Sequence, residues 1–91
     1  MDLRFEWDEA KAIANLHKHG VSFEEAQTVF GDPATKTIFD DQHSDLEDRF
    51  IDIGLSVSGR LLVVIYTENA ERIRIISCRK ATPKERRQYE R

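Results

Sequence analysis

Residues 49–80, RFIDIGLSVSGRLLVVIYTENAERIRIISCRK, decide the fold. Three runs of alternating apolar residues are separated by turn-forming residues, the pattern of consecutive strands. Strands are expected over 49–57 and 60–68, joined by Ser58-Gly59 as a two-residue hairpin turn. A third is expected over 72–80, after a turn near Asn69-Ala70. With a two-residue first turn, Val57 pairs with Arg60. Ile51, Ile53 and Leu55 then share a face with Leu62, Val64 and Tyr66, and this face is the expected core. A two-residue second turn adds Ile73, Ile75, Ser77 and Arg79 to that face and leaves Arg72, Arg74, Ile76 and Cys78 opposite. A three-residue turn swaps the two sets.

Upstream, Leu3, Phe5 and Trp7 alternate with Arg4 and Glu6 as a short strand. Asp8 is placed to cap a helix whose residues Ala10, Ile13, Ala14 and His17 share one face. Gly20 ends that helix, since glycine adopts the left-handed conformation cheaply. Ser22-Phe23-Glu24-Glu25 fits a capping box, and Phe23, Ala26, Val29 and Phe30 form the apolar face of a second helix. Gly31-Asp32-Pro33 stops it. Residues 35–39 suit a short strand, and the acidic stretch 40–48 suits a surface loop. Downstream, Thr82-Pro83-Lys84-Glu85 opens a last helix with a second box and proline at its first position. The order predicts an α+β fold: an antiparallel sheet with two N-terminal helices and a C-terminal helix.

At 91 residues, with 40% hydrophobic and 34% charged side chains, the chain is expected to form one domain over residues 1–91. No apolar run is long enough for a transmembrane helix. The first residues lack the basic start, apolar stretch and cleavage site of a signal peptide. Cys78 is the only cysteine, so an internal disulfide and a thiolate metal cluster are excluded. A cytoplasmic protein without a membrane partner is the simplest expectation. The net charge of −3 disfavours nucleic-acid binding, but its distribution does not. Residues 1–71 hold 6 Lys/Arg against 15 Asp/Glu, whereas residues 72–91 hold 8 against 2. The basic C-terminal part reads either as an electropositive surface or as solvated charge on an exposed strand and helix.

Several segments form an ordered set. They are Phe5-Glu6-Trp7-Asp8, then Asn15 with Lys18-His19-Gly20-Val21-Ser22-Phe23. Asp40, His43-Ser44, Glu47 and Arg49-Phe50 follow. The set ends with Gly59-Arg60, Tyr66-Thr67-Glu68, 72–77, Arg79-Lys80-Ala81, Glu85 and Tyr89. Over residues 5–89 this set resembles the BrnT family of ribonuclease toxins. The resemblance implies a compact RelE-like fold and a metal-independent endoribonuclease that inhibits translation, with no cofactor. It also implies a BrnA-like antitoxin with a ribbon-helix-helix part, and operator DNA contacted only through the complex with that antitoxin. His17 departs from the family pattern, where lysine is common, and receives no role.

Metal-free RNA cleavage needs a base for the 2′-hydroxyl proton, cations for the charge building on phosphate, and an acid for the leaving 5′-oxygen. Arginine suits the second task, because its planar fork matches phosphate oxygens and stays charged. Arg79, where the last strand meets the last helix, is the first candidate; a salt bridge to the acidic body is its other reading. Arg72, Arg74 and Lys80 are candidate RNA contacts, or they flank the antitoxin interface or a solvated strand edge. Arg49 opens a strand beside the acidic loop and is a further phosphate candidate. His43 and His19 have the intrinsic pKa for proton transfer. His19 could equally favour the helix C-terminus through its charge. Glu47 is a candidate base if His43 or Arg49 orients it, against an ordinary loop ion pair. Tyr66 could stack on a base, although its strand phase favours the core. His17-Lys18-His19 places two histidines at i, i+2, which do not share a helix face, so no metal is expected. The competing reading is a non-catalytic module that binds a partner or nucleic acid in operon autoregulation. A regulator acting alone is disfavoured, since no helix-turn-helix spacing occurs.

Overall fold

The computed structural model describes residues 3–40 and 48–91. Within them the order is β1 (Arg4–Glu6), α1 (Glu9–His19), α2 (Phe23–Thr28), a 3₁₀ turn (Val29–Gly31), β2 (Lys36–Phe39), β3 (Arg49–Leu55), β4 (Leu61–Asn69), β5 (Arg72–Lys80) and α3 (Pro83–Glu90). The five strands form one sheet in the order β1-β5-β4-β3-β2. β2 to β5 run antiparallel to their neighbours, but β1 joins the edge parallel to β5. The expected α+β class holds, with a mixed sheet in place of a wholly antiparallel one.

The helix ends follow the expected capping chemistry. Asp8 accepts from the Lys11 N–H, and Thr82 with Glu85 forms a complete capping box. The box expected at Ser22 is half-formed, since Ser22 accepts from the Glu25 N–H but the Glu25 carboxylate is held by Arg60 and Ser56. Gly20 closes α1 at φ +70°. The second helix is shorter than its apolar period suggests. It tightens to 3₁₀ geometry at Val29, and the Thr35 hydroxyl then donates to the carbonyls of Val29 and Asp32.

The hairpin turn corrects the expected core face. Leu55 pairs with Leu61, and the Ser56 N–H donates to the Arg60 carbonyl around the three-residue loop 57–59, with Gly59 at φ +80°. This is the tight turn with a left-handed glycine at its end. The extra residue flips every side chain of β3 relative to β4. Ile51 and Ile53 therefore align with Ile65 and Val63, while Asp52 and Phe50 align with Val64 and Tyr66.

The sheet thus has two unlike faces. One carries Leu62, Val64, Tyr66, Ile73, Ile75 and Cys78 and is covered by Ala12, Val21, Phe23, Ala26 and Val29 of the α1–α2 layer. The other carries Ile53, Leu61 and Val63, and α3 covers these through Tyr89 with Ala81. The α1 stripe also differs from the expected one. Ile13 is 55% exposed, and Ala12 with Asn15 faces inward.

Asn15 turns inward because β5 lacks a strand partner there. β1 pairs only with Arg72–Arg74, so the N–H and C=O of Cys78 point off the sheet edge. The Asn15 side chain supplies both complements. Its Nδ2 donates to the Cys78 carbonyl (2.8 Å) and the Val21 carbonyl (3.0 Å), and its Oδ1 accepts from the Cys78 N–H (3.1 Å). A second clamp ties the hairpin to the helical layer. Glu25 accepts from Arg60 and, at 2.7 Å, from the Ser56 hydroxyl, and Arg60 also donates to the Gly20 carbonyl.

Candidate functional site

The β4–β5 register decides which arginines meet. Ala70-Glu71 is the two-residue turn, with Ala70 at φ +56°, so Asn69 pairs with Arg72 and Thr67 with Arg74. Tyr66 pairs with Ile75, but Ile65 pairs with Ser77, which leaves Ile76 unpaired in a β-bulge. Beyond the bulge Val63 pairs with Arg79. In a regular strand Arg79 would face away from Arg72 and Arg74, as the sequence period predicts. The bulge re-aims it, so Arg72, Arg74 and Arg79 share the α3 face of the sheet.

Arg49 joins them, since Arg49 pairs with Thr67 and Thr67 with Arg74. Arg49 and Arg74 are two strand spacings apart, about 10 Å. Arg79 lies about 13 Å further along the strands, four residues on β4 from that row. Arg4, paired with Arg72, extends the surface at the sheet edge. Four candidate arginines thus occupy one face, beside the part covered by α3.

Two carboxylates that the sequence reading did not single out as site residues organise this face. Glu6 accepts from Arg72 at one oxygen (3.3 Å) and from Arg74 at the other (3.2 Å). With Thr67 and Asn69 these residues line a shallow hollow. Glu85 grips Arg79 as a fork, Nη1 to Oε1 at 2.7 Å and Nη2 to Oε2 at 2.8 Å. The guanidinium holds the Glu85 carboxyl down at about 2, and Glu85 in turn raises the pKa of Arg79. Glu85 also caps α3, so one side chain orients Arg79 and starts the helix beside it. Its capping box was the visible signal; its long-range partner depends on the bulge.

Other candidates lie elsewhere. Lys80 pairs with Leu62, which puts it on the α1–α2 face near Glu25, whose pKa is lowered chiefly by the Arg60 hydrogen bond and least by the Lys80 charge. Tyr66 is a core residue rather than a stacking platform. It is 5% exposed, its ring meets Phe30 and Phe50, and its hydroxyl donates to Asp52 at 2.9 Å. Burial raises the Tyr66 pKa, and it also raises that of Asp52 against hydrogen bonds from Thr37 and Tyr66. His19 ends α1, in the layer that packs on the opposite face. His43 and Glu47 lie outside the described residues. Cys78 is buried, with its thiol pushed up to about 12, so it is no nucleophile. Among the described residues no group of three or more His, Cys, Asp or Glu is placed to hold a metal ion, and no helix is long and apolar enough to cross a membrane.

No curated protein sequence matches the chain. Among solved structures, the ribonuclease toxin BrnT of Brucella abortus is similar, with a TM-score of 0.68 at 24% identity over 89% of this chain and 99% of that one. At that identity the likeness shows the fold. The family model for BrnT, the ribonuclease toxin of type II toxin–antitoxin systems, matches residues 7–85. A match over that much of the sequence places the chain in the family: it belongs to the BrnT ribonuclease toxins of type II toxin–antitoxin systems.

Proposed function

We propose that this chain cleaves RNA without a metal ion, on the cationic face of a RelE-like fold, and thereby inhibits translation in the cytoplasm. The observation that carries the reading is the gathering of Arg49, Arg72, Arg74 and Arg79 on one sheet face by the β5 bulge. Arg79 stabilises the charge building on the scissile phosphate, and Arg72, Arg74 and Arg49 hold neighbouring phosphates. Glu85 keeps the Arg79 fork oriented before RNA arrives. His43 and Glu47 remain the proposed proton-transfer groups, and His19 is the more remote candidate. Neutralisation is assigned to a BrnA-like antitoxin with a ribbon-helix-helix part, which covers the cationic face and alone brings the complex to operator DNA.

The purified chain, incubated with single-stranded RNA in excess EDTA, tests this. Cleavage persists in the chelator. Arg79→Ala, checked for retained fold, lowers kcat/KM by about 10²–10³-fold, the usual cost of removing one charge-stabilising donor. Cleavage abolished by EDTA and restored by a divalent ion would reject the metal-free reading. Full activity in Arg79→Ala would remove Arg79 from the site.

A further inference from the structure

The outward face of α3 carries charge that the fold does not use. Glu85 and Tyr89 turn inward, the first to Arg79 and the second to Asp32 at 2.7 Å. Lys84, Arg87 and Arg91 stand exposed at i, i+3 and i+7. They line one concave strip together with Gln88 and Glu90. None of the three cations forms a salt bridge among the described residues. Arg87 in the last turn and Arg91 at the C-cap are favoured there by the helix dipole, but Lys84 lies in the first turn, where a positive charge opposes it. Helix stability therefore accounts for two of the cations but not for Lys84.

We infer that Lys84, Arg87 and Arg91 form a track for the phosphate backbone of the RNA strand as it leaves the cationic sheet face. The inference rests on the ribonuclease reading above and extends it to substrate class: a strand several nucleotides longer than the cleaved step. Three features favour a polyanion backbone over a protein partner. The stripe has no apolar or aromatic side chain, which the centre of a protein interface requires. Its three cations span about 10 Å along the helix axis at 1.5 Å per residue, a length suited to successive phosphates. It is also continuous with the site, since α3 begins four residues after Arg79 and Glu85 joins the two.

The salt dependence of RNA binding reads the track directly, because each phosphate neutralised on a single strand contributes about 0.7 to the slope of log K against log salt. The full chain and the triple variant Lys84→Gln/Arg87→Gln/Arg91→Gln are compared on a long single-stranded RNA between 50 and 200 mM salt. The variant is expected to lose about 2 from the slope and to bind at least tenfold more weakly at the low-salt end. Lys11→Gln/Lys18→Gln, which removes charge from α1, is expected to keep the wild-type slope. A triple variant that stays folded and keeps the wild-type slope and KM overturns the track while leaving the ribonuclease reading intact. So does an equal loss of slope in the α1 variant, which would make the effect one of net charge. Wild-type chain that neither binds nor cuts RNA removes both.

Discussion

Replacing Asn15 by alanine removes the side chain that stands in for a missing strand, and its cost can be worked from three hydrogen bonds. The amide satisfies the Cys78 N–H, the Cys78 carbonyl and the Val21 carbonyl, and both partner residues are 0% exposed. The β-carbon of alanine reaches none of them, and water has little access. A buried backbone group left unmet costs about 1–3 kcal/mol, so three of them cost roughly 4 kcal/mol after partial relaxation. That is a large share of the about 5–15 kcal/mol available to a domain of this size. At about 4–8 °C per kcal/mol the melting temperature should fall by roughly 20 °C. Urea unfolding followed by circular dichroism measures the change, with the slope m checked for constancy. Asn15→Asp sharpens the test. An ionised carboxylate faces two carbonyls there, which raises its pKa in the fold. Its stability should be highest below the unfolded carboxylate value and be lost as pH rises through the folded one. A change under 1 kcal/mol in Asn15→Ala, or an Asn15→Asp variant insensitive to pH between 4 and 7, would refute the clamp.

Ala70→Gly relieves the only left-handed non-glycine residue among those described, and should stabilise the chain by about 1 kcal/mol in the same urea assay. Glu25, Asp32 and Glu85 all have lowered pKa values. Their contribution is complete above the unfolded carboxylate range and is lost as pH falls from about 4.5 toward 2. Acid titration of the fold should show this loss, and Glu85→Gln should shrink it while lowering neutral stability by about 1–2 kcal/mol. Tyr66→Phe removes a donor from the buried Asp52 and should cost about 1–2 kcal/mol in stability, with the KM for RNA unchanged. A raised KM in that variant would return Tyr66 to the RNA surface.

The sequence made the local chemistry legible. Asp8, Ser22, Thr82 and Gly20 announced their helix ends, because capping depends on neighbours three or four residues away. The α2 face was equally plain in Phe23, Ala26 and Val29. What failed was parity. Ser58-Gly59 has the composition of a two-residue turn, yet Gly59 serves as the left-handed end of a three-residue loop, and that one position inverted the assigned core face. Ile13 looked like a core residue and Asn15 had no place on the expected apolar face, because the need for a polar clamp arises only where β1 stops short of Cys78. The arginines themselves were conspicuous as candidates for phosphate contact. Their common facing was not, since it depends on a bulge with no compositional mark. The carboxylates Glu6 and Glu85 were hidden for the same reason: each meets its arginine only across the assembled sheet or at the join of β5 with α3.

The unpaired Ile76 also determines how this surface can be lost. Exchanging Ile76 for another aliphatic residue leaves the strand count, the ladder and the facing of Arg79 as they are. Deleting it removes the bulge but leaves Arg79 four places from Arg74, so strict alternation then keeps both on one face. The facing of Arg79 is therefore set by the number of residues that pair in the ladder, as much as by composition. Substitutions can erode the cationic face gradually and the loss of the Ile76 codon would spare it, whereas one residue gained in the paired stretch between Ile76 and Arg79 would turn Arg79 away at once with every arginine still in the sequence.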